Sequence, residues 1–246
     1  MSISAYNYKL IVQYDGTNYA GWQIQKNAST VQQVISDAIK ILTKEDITLI
    51  GSGRTDSGVH SLGQTANFKT EKEIDIFRFI YSINSILPKD IAVKKMENVD
   101  ISFNSRMDAK RRIYLYLFSK YKSPFFQKYS YLYHDKIDCT KLNNLSCFLT
   151  GQKDFTSFCR TISETENKIC NVYSINWKES KGMVFFFIEA DRYLHGMVRT
   201  IIGTLLNTLK NNLNENYIEE VFSAKNRNAA GEAVPAKGLF LYKVKY

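Results

Sequence analysis

Residues 9–42 read KLIVQYDGTNYAGWQIQKNASTVQQVISDAIKIL, and this stretch decides the fold. Residues 9–14 are a short β-rich run, and the polar residues 15–18 read as the turn that ends it. Val31, Val34, Ile35, Ala38, Ile41 and Leu42 then recur at helical spacing. Thr30 with Gln33 has the capping-box form that starts such a helix. Working outward, residues 47–50 predict a strand, residues 51–62 a loop rich in Gly and Ser, and residues 63–68 extended chain. Phe77, Ile80, Tyr81 and Asn84 predict a second helix, closed by Pro88, and residues 91–95 a further strand. The order is β-α-β-loop-β-α-β.

The second half repeats that order. Residues 112–118 alternate Ile113, Leu115 and Leu117 with Tyr114, Tyr116 and Phe118, a strand with two unlike faces. Leu142, Leu145 and Leu149 mark a helix that Gly151 can end. Residues 169–177 and 183–190 read as strands, 196–209 and 217–223 as helices, and 239–244 as a closing strand. Each half therefore has the pattern of a split β-α-β unit of the ferredoxin or RRM type, a frequent support for RNA-binding sheets. The expected division is residues 1–105 and 106–246.

The chain has 246 residues, 44% of them hydrophobic, which is ordinary globular composition. No apolar run approaches the ~18 residues of a membrane span. Residues 1–9 lack the basic-then-apolar order of a signal peptide, so a chain neither exported nor inserted in a membrane is expected. Cys139, Cys147, Cys159 and Cys170 lack zinc spacing and read as free thiols of the cytoplasm. His60, His134 and His195 are too scattered to form a metal signature.

The charge is unbalanced: 33 Lys and Arg oppose 24 Asp and Glu, a net +9. Residues 104–128 hold seven cations (Arg106, Lys110, Arg111, Arg112, Lys120, Lys122 and Lys128) against Asp108 alone, a net +6. Tyr114, Tyr116, Phe118, Tyr121, Phe125 and Phe126 lie among them. Cations interleaved with aromatic rings suit a phosphate backbone whose bases can stack, although a solvated basic strand and loop has the same composition.

Three places could carry chemistry. The densest is Gly51-Ser52-Gly53-Arg54-Thr55-Asp56-Ser57-Gly58-Val59-His60, a loop between strands with three glycines. It is neither a P-loop nor a Gly-x-Ser-x-Gly elbow, and by itself Asp-Ser-Gly is equally a turn. The second is Arg199 in His195-Gly196-Met197-Val198-Arg199, opening an apolar helix; it either meets a carboxylate or snorkels to solvent. The third is Tyr114, whose alternative is core packing.

Together these motifs resemble the pseudouridine synthases, in particular the bacterial family that acts on the anticodon arm of tRNA (the TruA family). Tyr14-Asp15-Gly16-Thr17 with Tyr19-Ala20-Gly21-Trp22-Gln23 is similar to the family's opening signature, and residues 53–60 with Gly63-Gln64 to its catalytic loop. Asp154-Phe155-Thr156-Ser157-Phe158, His195-Gly196-Met197-Val198-Arg199 and Ala236-Lys237-Gly238-Leu239 follow in the family's order, so the resemblance runs nearly end to end. It implies an α+β fold in which two ferredoxin-like halves form one continuous mixed, mainly antiparallel sheet with helices on one face. It implies that Asp56 is the catalytic aspartate, Tyr114 the tyrosine that stacks on the target base, and Arg199 the arginine that pairs with the aspartate. Arg54 corresponds to the residue that replaces the flipped nucleotide, and Arg106 lies in a segment contacting tRNA, with Lys110 and Arg111 beside it. Ser57 stands where the family usually has Ala, and Gly196 where it often has a second His.

The implied reaction isomerises uridine to pseudouridine at tRNA positions 38–40: C1′–N1 cleaves, the base turns, and C1′ joins C5. Isomerisation calls for no cofactor or metal. The implied partners are tRNA and a second copy of the chain in a homodimer. Two alternatives stay open: a non-catalytic RNA-binding or chaperone protein on the same fold, with no need of Asp56 and Arg199 together, or a synthase with another RNA target.

Overall fold

A computed structural model describes residues 6–160 and 166–246; the first five residues of the 1–9 segment lie outside the described residues. In chain order the strands and α-helices are β1 (Tyr6–Tyr14), α1 (Val31–Thr43), β2 (Ile50–Gly51), β3 (His60–Thr70), α2 (Ile76–Ile86), β4 (Ile91–Val99), β5 (Arg111–Ser119), β6 (Tyr131–Leu132), α3 (Cys139–Ser146), β7 (Gly151–Asp154), β8 (Ile169–Ser180), β9 (Met183–Ala190), α4 (Met197–Lys210), α5 (Glu215–Ala224) and β10 (Leu239–Lys245). The class is α+β. Two units divide the chain: Met1–Lys110 with Phe240–Tyr246, and Arg111–Leu239. No helix of the described residues is long and apolar enough to cross a membrane.

In the first unit β1 pairs antiparallel with β3 on one side and β4 on the other. The free edge of β3 is shared. Antiparallel β2 takes Ala66 and Asn67, while β10 runs parallel beside His60 and Ser61. Alternate residues of β1 (Tyr8, Leu10, Val12, Tyr14) meet Ala66 and Phe68 of β3 and the buried stripes of α1 and α2. Period two on the strand and 3.6 on the helices thus converge on one core. Thr30 accepts the Gln33 amide at the start of α1, as the capping box predicts. The Gln33 side chain turns along the helix, where its Nε2 donates to Asp37 Oδ1.

Three expectations need correction. Residues 47–49 are not strand; β2 keeps only Ile50 and Gly51. Helix α2 forms where its period placed it, but with another face inward. Phe79 and Ile83 are buried, while Phe77 is 84% and Tyr81 75% exposed. The helix from Leu142 stops at Ser146, and Gly151, at φ +89°, opens β7 rather than ending a helix.

In the second unit the order β5-β9-β8-β7 is antiparallel throughout, with β6 parallel to the end of β5. Helix α4 buries Ile201, Ile202, Leu205 and Leu206 with Thr200, Thr204 and Thr208. The hydroxyls of Thr204 and Thr208 donate to the carbonyls one turn back, so these buried polar groups are satisfied within the helix. The Asp154–Phe158 motif is a staple. Phe155 and Phe158 pack on Phe222, and Ser157 Oγ donates to Val221 O at 2.5 Å.

Candidate active site

Asp56 sits half-buried in the loop between β2 and β3, with Arg54 exposed and Thr55, Val59 and His60 buried around it. The loop is held by the 14–22 segment that follows β1. Trp22 N donates to Thr55 O at 3.1 Å, and Gly58 N and Ser57 Oγ both donate to Tyr19 O, at 3.3 and 3.2 Å. Tyr14 and Thr55 share a buried hydroxyl–hydroxyl bond of 2.8 Å. Within the loop, Val59 N donates to Asp56 O at 3.1 Å.

Two glycines make that approach possible. A Cβ on Gly16 would lie 2.0 Å from Val59 O. Gly21 has φ +96°, and a Cβ there would lie 2.4 Å from Thr55 O. Both positions demand glycine because backbone meets backbone. Behind the loop, Gln64 Nε2 donates to Gly53 O at 2.9 Å, and Ser52 Oγ donates to Gln64 Oε1 at 2.7 Å. Buried His60 stacks on Phe240, with Nδ1 3.0 Å from Gly16 N and 3.1 Å from Asp15 Oδ1. A neutral ring accepts the amide proton there, whereas a protonated one pairs with the carboxylate.

Tyr114, on β5 of the second unit, is 8% exposed and meets Tyr193 edge to face, with ring centroids 5.0 Å apart. The Tyr193 hydroxyl is shared between Ile188 O (3.0 Å) and Arg112 O (3.2 Å), and burial pushes that phenol well above its usual range. Two residues along β5, Tyr116 is fully buried and donates to Pro235 O at 2.7 Å. Burial raises its pKa, partly opposed by the nearby positive charge of Arg199. Arg199 is half-buried in the first turn of α4. Its Nε donates to Val234 O at 2.6 Å, and Val234 N donates back to Arg199 O at 3.2 Å. The guanidinium is thereby oriented through one nitrogen, and its two terminal nitrogens extend from a fixed base. The structure thus places Arg54 and Asp56 in one loop of the first unit and, in the second, Tyr114 on β5 and Arg199 near Tyr116 of the same strand.

The basic stretch divides sharply. Tyr116 and Phe118 are core side chains, with Phe118 stacked on Trp177, so they are closed to RNA bases. Tyr121, Phe125 and Phe126 in the following loop are 48%, 83% and 42% exposed. Arg111 stacks over Tyr173 at 4.2 Å and pairs with Glu189 at 3.1 Å, and Lys120 pairs with Glu179. Arg106 projects from a turn tied by Asn104 Oδ1, and Lys110 is exposed at the edge of the first unit. All four cysteines are free thiols, and burial pushes that of Cys170 up to about 12.

The sequence reading assigned no role to Tyr14, Gly16, Tyr19, Gly21 or Thr55, which fix the Asp56 loop. The available signal was that the 14–23 and 53–60 motifs occur together. Tyr193 was also missed, because an edge-to-face contact between β5 and the segment after β9 has no local signature.

A family model described as tRNA pseudouridine synthase matches residues 10–108 and 148–246. The protein named tRNA pseudouridine synthase A 1 of Protochlamydia amoebophila is 42% identical over 245 residues, covering 97% of this chain and 96% of that one. Those named tRNA pseudouridine synthase A from Caldicellulosiruptor saccharolyticus and Clostridium acetobutylicum are 39% and 40% identical, each covering 98% of this chain and 99% of theirs. Among solved structures, a chain of a Cbf5-Nop10-Gar1 complex overlaps 80% of this chain and 53% of its own at TM-score 0.38 and 12% identity, too distant to carry an argument. The family match spans both units and both signature segments around Asp56: the chain belongs to the tRNA pseudouridine synthase family.

Proposed function

We propose that this enzyme isomerises uridine to pseudouridine in the anticodon stem-loop of tRNA, at positions 38–40, with Asp56 as the catalytic carboxylate. The observation that carries the reading is the rigid placement of Asp56 by the paired 14–22 and 53–60 segments, in a chain of this family. Asp56 either attacks ribose C1′ or removes a sugar proton to give a glycal; both routes use an ionised carboxylate shielded from water. Once N1 is released, the base turns, C5 bonds to C1′, and the C5 proton leaves. Tyr114 stacks on the base, Arg199 is the arginine partner of the catalytic aspartate, and Arg54 fills the gap left by the flipped nucleotide. The enzyme works in the cytoplasm, as a homodimer across which the tRNA lies.

A panel of anticodon stem-loops with uridine replaced by cytidine at position 38, 39 or 40 tests the target. Pseudouridine, identified by digestion and mass, is expected only at whichever of those positions still carries uridine. Product at other sites, or in a ribosomal fragment instead, refutes the anticodon-arm assignment.

The charge distribution makes a separate prediction. Lys110→Ala should weaken all tRNAs by a similar factor and reduce the slope of log affinity against log salt by about 1. Arg111→Ala should change that slope less, because Glu189 already offsets its charge. Equal slopes for wild type and Lys110→Ala would show that this lysine does not face phosphate.

A further inference from the structure

Asp56 needs a defined direction at the ribose. Its carbonyl is tied to Val59, but the preceding peptide depends on contacts from outside the loop. Thr55 is gripped twice: Trp22 N holds its carbonyl at 3.1 Å, and Tyr14 holds its hydroxyl at 2.8 Å. Tyr14 is 4% exposed and ends β1 just past an irregularity in pairing with β3 between Val12 and Tyr14. Such irregularities re-aim a side chain. Its ring rests near Trp22, centroids 6.1 Å apart, so both grips come from one packed pair. Burial holds the Tyr14 phenol far above its ordinary range, so it remains a neutral hydroxyl able to donate.

We propose that Tyr14 and Thr55 are positioning residues, whose shared hydrogen bond aims the Asp56 carboxylate at the ribose. The proposal rests on the reading of Asp56 as the catalytic carboxylate. Neither residue touches the reacting atoms. A rotation about the Thr55–Asp56 backbone would displace the carboxylate while leaving RNA-binding surfaces unchanged, so the effect falls on kcat and not on KM. Removing either hydroxyl removes the same bond, so the two losses must not multiply.

The test compares Tyr14→Phe, Thr55→Val, their double variant, Thr55→Ser and Asp56→Asn in the full-length protein. The measurements are single-turnover tritium release from tRNA carrying 5-tritiated uridine, tRNA affinity, and thermal unfolding. Tyr14→Phe and Thr55→Val should each lower kcat roughly 10-fold or more, with KM and affinity nearly unchanged. The double variant should be no slower than the slower single, and Thr55→Ser, which keeps the hydroxyl, should stay near the wild-type rate. Wild-type kcat in Tyr14→Phe and Thr55→Val overturns the proposal, as does a double loss equal to the product of the singles. Should Thr55→Val unfold, a slow but folded Tyr14→Phe beside an active Thr55→Ser still supports it, and a wild-type Tyr14→Phe still overturns it. Asp56→Asn separates the two readings. If it is inactive while the hydroxyl variants run normally, only the positioning role fails; if it is active, the assignment of Asp56 fails first.

Discussion

Asp56→Asn should leave tritium release from 5-uridine at least ~10³-fold below wild type, with tRNA affinity within a few-fold. The amide keeps the shape of the carboxylate, and the bond from Val59 N to the Asp56 main-chain carbonyl does not depend on the side chain. What the variant lacks is the negative charge, and both routes at the ribose need it: an amide is a poor nucleophile at C1′ and no base toward a sugar proton. The loss belongs in kcat because the carboxylate acts on the reacting atoms, whereas most RNA affinity comes from phosphate contacts elsewhere. Release within tenfold of wild type would mean that another group performs the chemistry.

The second large effect comes from a residue without a side chain. Gly16→Ala places a Cβ 2.0 Å from Val59 O and 2.6 Å from Val59 C, both main-chain atoms. Ordinary contact requires well over 3 Å, more than 1 Å beyond what is present, so one of the two segments must shift. Gly16 N is also the donor to His60 Nδ1, so the shift strains a buried partner as well. A displacement near 1 Å three residues from Asp56 is expected to reduce kcat by about 100-fold. The clash is local to the Asp56 loop, and Arg106, Lys110 and Arg111 lie outside that loop, so affinity should change less than kcat. Single-turnover rates and binding isotherms for Gly16→Ala and wild type would check this. A rate within threefold of wild type would show that the 14–22 segment does not control the catalytic loop.

The sequence made some of this legible and concealed the rest for physical reasons. Helix α1 was readable to its first residue because an apolar 3.6 period and a capping threonine agree. Helix α2 was readable as a helix but not by face. Ile76, Phe77, Phe79, Ile80, Tyr81 and Ile83 are apolar around most of the circumference, and only packing shows that Phe79 and Ile83 turn inward. Strand β10 was evident as a strand, yet its parallel seat beside His60 and Ser61 depends on contacts about 180 residues apart in sequence. The alternation of residues 112–118 announced a strand with two unlike faces but not which face is inner: Tyr116 and Phe118 are buried, whereas Phe125, in the loop after β5, is exposed. At the site, the loop of Asp56 announced itself by its glycines. The grip of Tyr14 on Thr55 did not, because a hydroxyl pair across 41 residues has no sequence period.

Tritium release by the wild-type enzyme, from tRNA carrying 5-tritiated uridine in the anticodon arm, tests the central claim most directly. Joining C1′ to C5 expels the hydrogen at C5, so each uridine converted should release one tritium to water, matched by one pseudouridine in the digested tRNA. A wild-type protein that binds this tRNA yet releases no tritium and forms no pseudouridine would contradict the claim.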